Sequence, residues 1–101
     1  MTARIPVPRQ AVVYFCQRNR IRKLSLFGSV LRDDFRPDSD IDILVEFEPD
    51  AVVGLFDIAR MERELSDIMG RRVDLRTPKD LSRHFRQQVL EEAEVQYEHV
   101  G

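Results

Sequence analysis

Asp40, Asp42, Asp74 and the dipeptide Gly28-Ser29 are the residues of this 101-residue chain best suited to doing chemistry. Asp40 and Asp42 lie in FGSVLRDDFRPDSDID, residues 27 to 42, a stretch with five aspartates in sixteen positions that runs straight into the apolar ILVEF. Carboxylates on one strand repel each other and resist burial unless a cation holds them together. They therefore either lie in water or hold a metal. Two apart at the start of a strand, the Asp40 and Asp42 side chains leave one face while Ile41 and Ile43 leave the other. Oxygen donors without histidine or cysteine suit a hard ion, and Mg²⁺ is usually held by a couple of carboxylates plus substrate phosphates. Many surface turns also contain such a pair, so Asp40 and Asp42 do not decide the matter alone.

Two further features bear on it. Gly28-Ser29 closes one strand just before a short helical turn, where free backbone N–H groups and a hydroxyl suit a phosphate, and glycine admits it close to the backbone. Read alone, Gly-Ser is a plain turn. Asp74 is a lone acid between Val73 and Leu75 in a short apolar strand, and a buried charge needs a partner. Arg72 or Arg76 would supply one as a structural ion pair. If the three strands are adjacent, Asp74 instead faces Asp40 and Asp42, and three acids around one site are stable only with cations present.

The elements that position these residues follow from periodicity. Pro8 is placed to open a helix with Val12, Phe15, Cys16 and Asn19 on one face, closed by Arg18, Arg20, Arg22 and Lys23. KLSLF, residues 23 to 27, reads as a first strand, with a helical turn over 30–34. Residues 41 to 47 make the second strand. Leu55 to Met69 is the clearest helix, with Leu55, Ile58, Met61, Leu65 and Ile68 on one side and Gly70 as its stop. RVDLR, residues 72 to 76, is a third strand. A last helix carries Leu81, Phe85 and Val89, with the segment to Tyr97 after it. Phe27, Phe35, Phe47, Phe56 and Phe85 read as core or core-edge residues. The expected fold class is α+β, ordered α-β-α-β-α-β-α around a short mixed sheet of strand order 1-2-3, covered mainly on one side.

Composition bounds the function. A chain of this length is expected to be one domain, residues 1–101, with a modest core. Apolar residues at 43% against 34% charged ones describe an ordinary globule, and a formal charge of −2 gives no electrostatic case for nucleic acid or a membrane. Fourteen arginines against two lysines suit phosphate recognition but carry little weight. Cys16 is alone, so no intrachain disulfide is expected, and MTARIPVPRQ has no apolar signal core. The cytoplasm is the expected compartment. His84 and His99, fifteen apart with no cysteine near, do not make a zinc site.

The string from Gly28 to Asp42 reads GSx10DxD, with Ser39 directly before Asp40 and a third acid on the following strand. It resembles the nucleotidyltransferase signature of the DNA polymerase β-like superfamily. Within that superfamily the short chain and FGSVLRDDFRPDSDIDILVEF look like the minimal nucleotidyltransferases, the MNT proteins usually encoded beside a HEPN-domain protein. The resemblance covers about residues 10 to 97. One departure is visible: Leu31-Arg32-Asp33 stands where relatives commonly show Ala-Arg-Gly, and the added acid would tilt nucleotide affinity downward.

The resemblance implies a role for each matching residue. Asp40 and Asp42 would hold two Mg²⁺ ions, with Asp74 binding the ion nearest the acceptor hydroxyl and helping to remove its proton. Gly28, Ser29 and Ser39 would contact the nucleotide, and Arg32 would neutralise charge on the departing pyrophosphate. The implied reaction transfers AMP from ATP to a tyrosine of a HEPN ribonuclease toxin, which makes this chain the antitoxin. Only 27 residues follow Asp74, leaving little room for an acceptor pocket, so a partner bound across the site would supply it. A second reading is a non-catalytic antitoxin that neutralises the toxin by contact. Three retained acids favour the enzyme, and Asp33 gives the binding reading some support. Transfer to a small molecule such as an aminoglycoside would need an acceptor domain.

Overall fold

Ile41, Ile43 and Val45 are each fully buried and share one face of a strand, whereas Asp42 between them is only half-buried. That alternation sets the register of the sheet, because a one-residue slip would turn every apolar side chain outward. The computed structural model describes residues 7–31, 36 and 39–99. Its elements are α1 (Arg9–Arg18), β1 (Ile21–Phe27), a 3₁₀ turn (Gly28–Leu31), β2 (Ile41–Phe47), α2 (Leu55–Met69), β3 (Val73–Arg76), a second 3₁₀ turn (Pro78–Asp80), α3 (Arg86–Glu92) and β4 (Glu94–Glu98).

The four strands form one mixed sheet in the order β3-β2-β1-β4. β1 runs antiparallel to both β2 and β4, and β2 runs parallel to β3 through the α2 crossover. The first three strands are neighbours in the expected order, and β4 adds a fourth outside β1. The helical turn expected over 30–34 starts earlier, as a 3₁₀ turn over Gly28–Leu31, and residues 32–34 lie outside the described residues.

Helices α1 and α2 cover the face that carries Ile41, Ile43 and Val45. Val12, Phe15 and Cys16 from α1 and Met61 and Leu65 from α2 join Ile21, Leu24, Leu26, Val73 and Leu75 in one core. Each large side chain removed from water contributes roughly 1.5–3 kcal/mol. Asn19, buried at the end of α1, donates its Nδ2 to the Phe15 carbonyl at 2.9 Å and so satisfies a group the helix leaves over. Gly70, at φ 70°, ends α2 in the left-handed conformation.

β3 is an edge strand, and α2 closes its free side. The Val73 N–H donates to Ser66 Oγ at 3.0 Å and the Leu75 N–H to Glu62 Oε2 at 2.8 Å. These bonds occupy donors that would otherwise template another strand.

Several expectations are corrected. The C-terminal helix does not run through Leu81 and Phe85. Thr77 and Asp80 close a tight turn instead, with the Thr77 N–H donating to Asp80 Oδ2 at 3.0 Å, and α3 begins only at Arg86. The segment to Tyr97 is a strand, β4, held by its antiparallel pairing with β1, in which Tyr97 lies opposite Leu24 and Val95 opposite Ser25 across a bulge. β1 starts at Ile21, two residues before the expected Lys23, so Arg22 belongs to the strand rather than to the end of α1. Leu55 at 88%, Phe56 at 93% and Phe85 at 62% exposure are not core residues: the first two open α2 beyond the sheet, and the third precedes α3. Phe35 lies outside the described residues. No helix among the described residues is long and apolar enough to cross a membrane.

Candidate active site

The second face of the sheet carries the acids. Asp42 on β2 is paired with Phe27 on β1 to one side and with Asp74 on β3 to the other. Two carboxylates therefore stand on neighbouring strands at the same height, and Asp40 lies one pleat earlier and exposed. The parallel β2–β3 pairing brings together residues more than thirty positions apart.

The end of β1 is shaped around Asp42. Gly28 takes a φ of +75°, a conformation that side chains rarely adopt, and a Cβ built on it would fall 2.4 Å from Asp42 Oδ2. The chain then turns so that the Ser29 N–H donates to the Asp42 carboxylate. Gly28 and Ser29 were expected to offer their amides to a phosphate. The structure commits the Ser29 amide to bracing the acid and leaves the half-buried Ser29 side chain at the rim.

Charge in the cluster is poorly compensated. Burial pushes the Asp42 carboxyl above the usual carboxylate range, with Asp74 and then Asp40 adding to the rise, while Arg76 and the Ser29 N–H oppose it. Asp74 meets Arg76 Nη2 at 3.1 Å, so one of the two ion-pair partners anticipated for it is present. Both members are substantially exposed, which makes this a weak pair in energy. Ser39 closes a turn with Arg36, whose N–H donates to Ser39 Oγ at 3.2 Å. Arg32 lies outside the described residues, as do Asp33, Asp34 and Asp38.

The donor set fits a hard divalent cation. All three side chains offer oxygen, they repel one another, and the best buried of them holds its proton more tightly than an isolated carboxylate does. As placed, no group of three acid, histidine or cysteine side chains among the described residues is gathered closely enough to hold an ion. A larger cavity, ≈680 Å³, opens at the other end of β2 between Val45, Phe47, Leu55 and Pro78 and contains none of the three acids.

The bracing of Asp42 by Gly28 and Ser29 is the feature that sequence reasoning missed. Its only signal is a glycine directly after a strand whose last residue, Phe27, pairs with an acid, and register is not visible before strands are paired. Glu62 and Ser66, which hold β3 and with it Asp74, carry no sequence signal for that role.

The chain is similar to known proteins in sequence and in fold. The model of the nucleotidyltransferase domain family matches residues 9–95. The chain is 36% identical over 76 residues to the protein adenylyltransferase MntA of Thermococcus cleftensis, with 75% of each chain covered. It superimposes with a TM-score of 0.69 and 41% identity on a solved structure provisionally described as a minimal nucleotidyltransferase, covering 84% of this chain and 85% of that one. A toxin–antitoxin complex with AMP-PNP (TM-score 0.73, 20% identity, 92% of this chain and 75% of that one) shares the fold. So does a tri-AMPylated Shewanella oneidensis HEPN toxin in complex with MNT antitoxin (TM-score 0.65, 20% identity, 90% and 70%).

Proposed function

The chain belongs to the nucleotidyltransferase domain family, and from that premise we propose that it is the antitoxin of a HEPN ribonuclease toxin and transfers AMP from ATP to a tyrosine of that toxin. The observation that carries the proposal is the pairing of Asp42 with Asp74 on adjacent strands, with Gly28 and Ser29 folded against Asp42. A surface that only binds has no use for a half-buried acid held beside a second one.

The roles follow from chemistry. Asp40, Asp42 and Asp74 would hold two Mg²⁺ ions, which supply charge stabilisation at the α-phosphate and a lowered pKa for the acceptor hydroxyl when bound. Asp74, at the β3 edge of the cluster, takes the proton from the acceptor tyrosine. The tyrosine oxygen then forms a bond to the α-phosphorus as the bond from that phosphorus to pyrophosphate breaks. Ser29, Ser39 and Arg32 contact the phosphates, with Arg32 offsetting charge on the departing pyrophosphate. Gly28 admits the triphosphate beside Asp42, and Ser29 keeps the Asp42 carboxylate aimed outward. Residues 1–101 act as one minimal nucleotidyltransferase domain in the cytoplasm. The HEPN partner completes the acceptor side, and neither a membrane nor nucleic acid is required.

The test is direct. The protein is incubated with ATP, Mg²⁺ and the HEPN protein encoded beside it, and the partner is weighed by intact mass spectrometry. An AMP-sized gain on a tyrosine is expected, and no gain would sink the proposal. Asp42→Asn should abolish the adduct and leave the complex intact, since it removes charge but little volume. Toxin neutralisation that survives in this variant would make contact, not transfer, the operative mechanism.

A further inference from the structure

We infer that the cleft between the Gly28 turn and α3 is the nucleobase subsite of this active site, with Phe85 as its stacking surface and the Gln88–Glu92 pair as its hydrogen-bonding edge. The inference rests on the nucleotidyl-transfer reading above. The cleft measures ≈390 Å³ and is lined by Phe27, Gly28, Phe85, Gln88, Val89 and Glu92. That size falls within the roughly 300–1,000 Å³ of small-molecule sites.

Its position follows from topology. β4 pairs antiparallel with β1, with Glu94 opposite Leu26, so the end of α3 must come to the end of β1 where Phe27 and Gly28 lie. Gly28 is thus shared: one side abuts the Asp42 carboxylate and the other lines the cleft. A nucleotide whose phosphates rest on the acids has this cleft as its adjoining space.

Its chemistry suits a base. Phe85 is 62% exposed and packs into no core, yet lines a cleft whose other walls include Phe27 and Val89. An aromatic ring held half in water beside an apolar wall is a platform for a flat heterocycle. Gln88 Nε2 donates to Glu92 Oε1 at 3.2 Å, which fixes the two side chains relative to each other. The pair retains one amide N–H, the amide oxygen and the second carboxylate oxygen for a ligand. A ring bearing an exocyclic amino group beside a ring-nitrogen acceptor satisfies that edge, as the six-membered ring of adenine does.

Calorimetry of the full chain in Mg²⁺ with ATP, inosine triphosphate and inorganic tripolyphosphate tests the subsite without the partner. The wild type should bind ATP more tightly than tripolyphosphate, and Phe85→Ala should lose roughly 10-fold to 100-fold for ATP while its tripolyphosphate affinity is unchanged. Phe85→Tyr should restore ATP binding. Inosine triphosphate, which lacks the 6-amino group, should bind more weakly than ATP, and the gap should close in the Gln88→Ala, Glu92→Ala double variant. Tripolyphosphate binding with no advantage for ATP, or an unchanged ATP affinity in Phe85→Ala, overturns the subsite alone. A wild-type protein that binds neither ATP nor tripolyphosphate overturns the nucleotidyl-transfer reading and the subsite with it.

Discussion

Gly28 lies so close to Asp42 that a Cβ on it would stand 2.4 Å from Oδ2 and 3.2 Å from Cγ. The backbone there is left-handed, so Gly28→Ala meets both a steric and a conformational penalty. The left-handed backbone alone costs about 1–2 kcal/mol for a non-glycine residue. The clash is relieved only if Asp42 turns away, and misplacing a reacting group by about 1 Å can cost on the order of 10²-fold in rate. Gly28→Ala should therefore lower the melting temperature and also cut AMP transfer more than the lost stability explains. A variant that melts early but transfers AMP at the wild-type rate would show that Asp42 is not aimed by this contact.

Asp42 links stability to pH. Burial and the neighbouring Asp74 and Asp40 raise its folded pKa above the unfolded value, so the native state holds this proton more tightly than the unfolded chain does. Stability from this group is therefore fully present below the unfolded carboxylate pKa and falls as pH climbs through the raised folded one. Above that window the ionised Asp42 is a standing cost. Asp42→Asn should melt higher than the wild type at pH 7 without metal, the difference fading as both pKa values are passed at low pH. One kcal/mol corresponds to roughly 4–8 °C in a domain of this size. Mg²⁺ should raise the melting temperature of the wild type and do much less for Asp42→Asn. A variant that melts lower at neutral pH would refute the assigned cost.

Much of this was legible from periodicity alone. β2 and the main run of α2 follow from alternation and from three- and four-residue spacing, and the acids stand out because like charges beside a core strand resist burial. What was not legible depended on contacts between distant segments. The α2 stripe was read one turn too far toward Leu55, since spacing does not show where the sheet beneath a helix ends. The four-residue spacing of Phe85 from Leu81 and Val89 looks helical and predicts a core position, whereas the Thr77–Asp80 turn and Pro78 delay the helix and leave Phe85 exposed. β4 carries no clean apolar alternation, with Val95 45% exposed, and its pairing with β1, distant in sequence, decides it.

Glu62 and Ser66 hold the strand that carries Asp74. Removing the Glu62 carboxylate leaves the Leu75 N–H without an acceptor in a buried setting, which costs about 1–3 kcal/mol. Glu62→Ala should lower the unfolding free energy by that amount, read as a lower urea midpoint at an unchanged slope, and Glu62→Gln, which keeps an acceptor oxygen, should lose less. Because β3 also positions Asp74, AMP transfer should fall further in Glu62→Ala than in Glu62→Gln at equal folded fraction. Equal urea midpoints for the two variants would show that Leu75 finds another acceptor.

Cys16 separates core from site. It is fully buried against the face opposite the acids, and burial pushes its thiol up to about 12, so almost no thiolate exists at neutral pH. The native protein should therefore resist a thiol-reactive probe at pH 8 and react with one equivalent only in denaturant. Cys16→Ala leaves a small void and Cys16→Ser buries a hydroxyl in an apolar setting, which costs about 1–3 kcal/mol unless it is hydrogen-bonded. Cys16→Ser should thus lower the melting temperature, yet AMP transfer by the folded fraction should stay at the wild-type level, because α1 packs on the face away from Asp42 and Asp74. Rapid labelling of the native protein, or loss of transfer without loss of fold, would contradict that division of the sheet into a packed face and a reacting one.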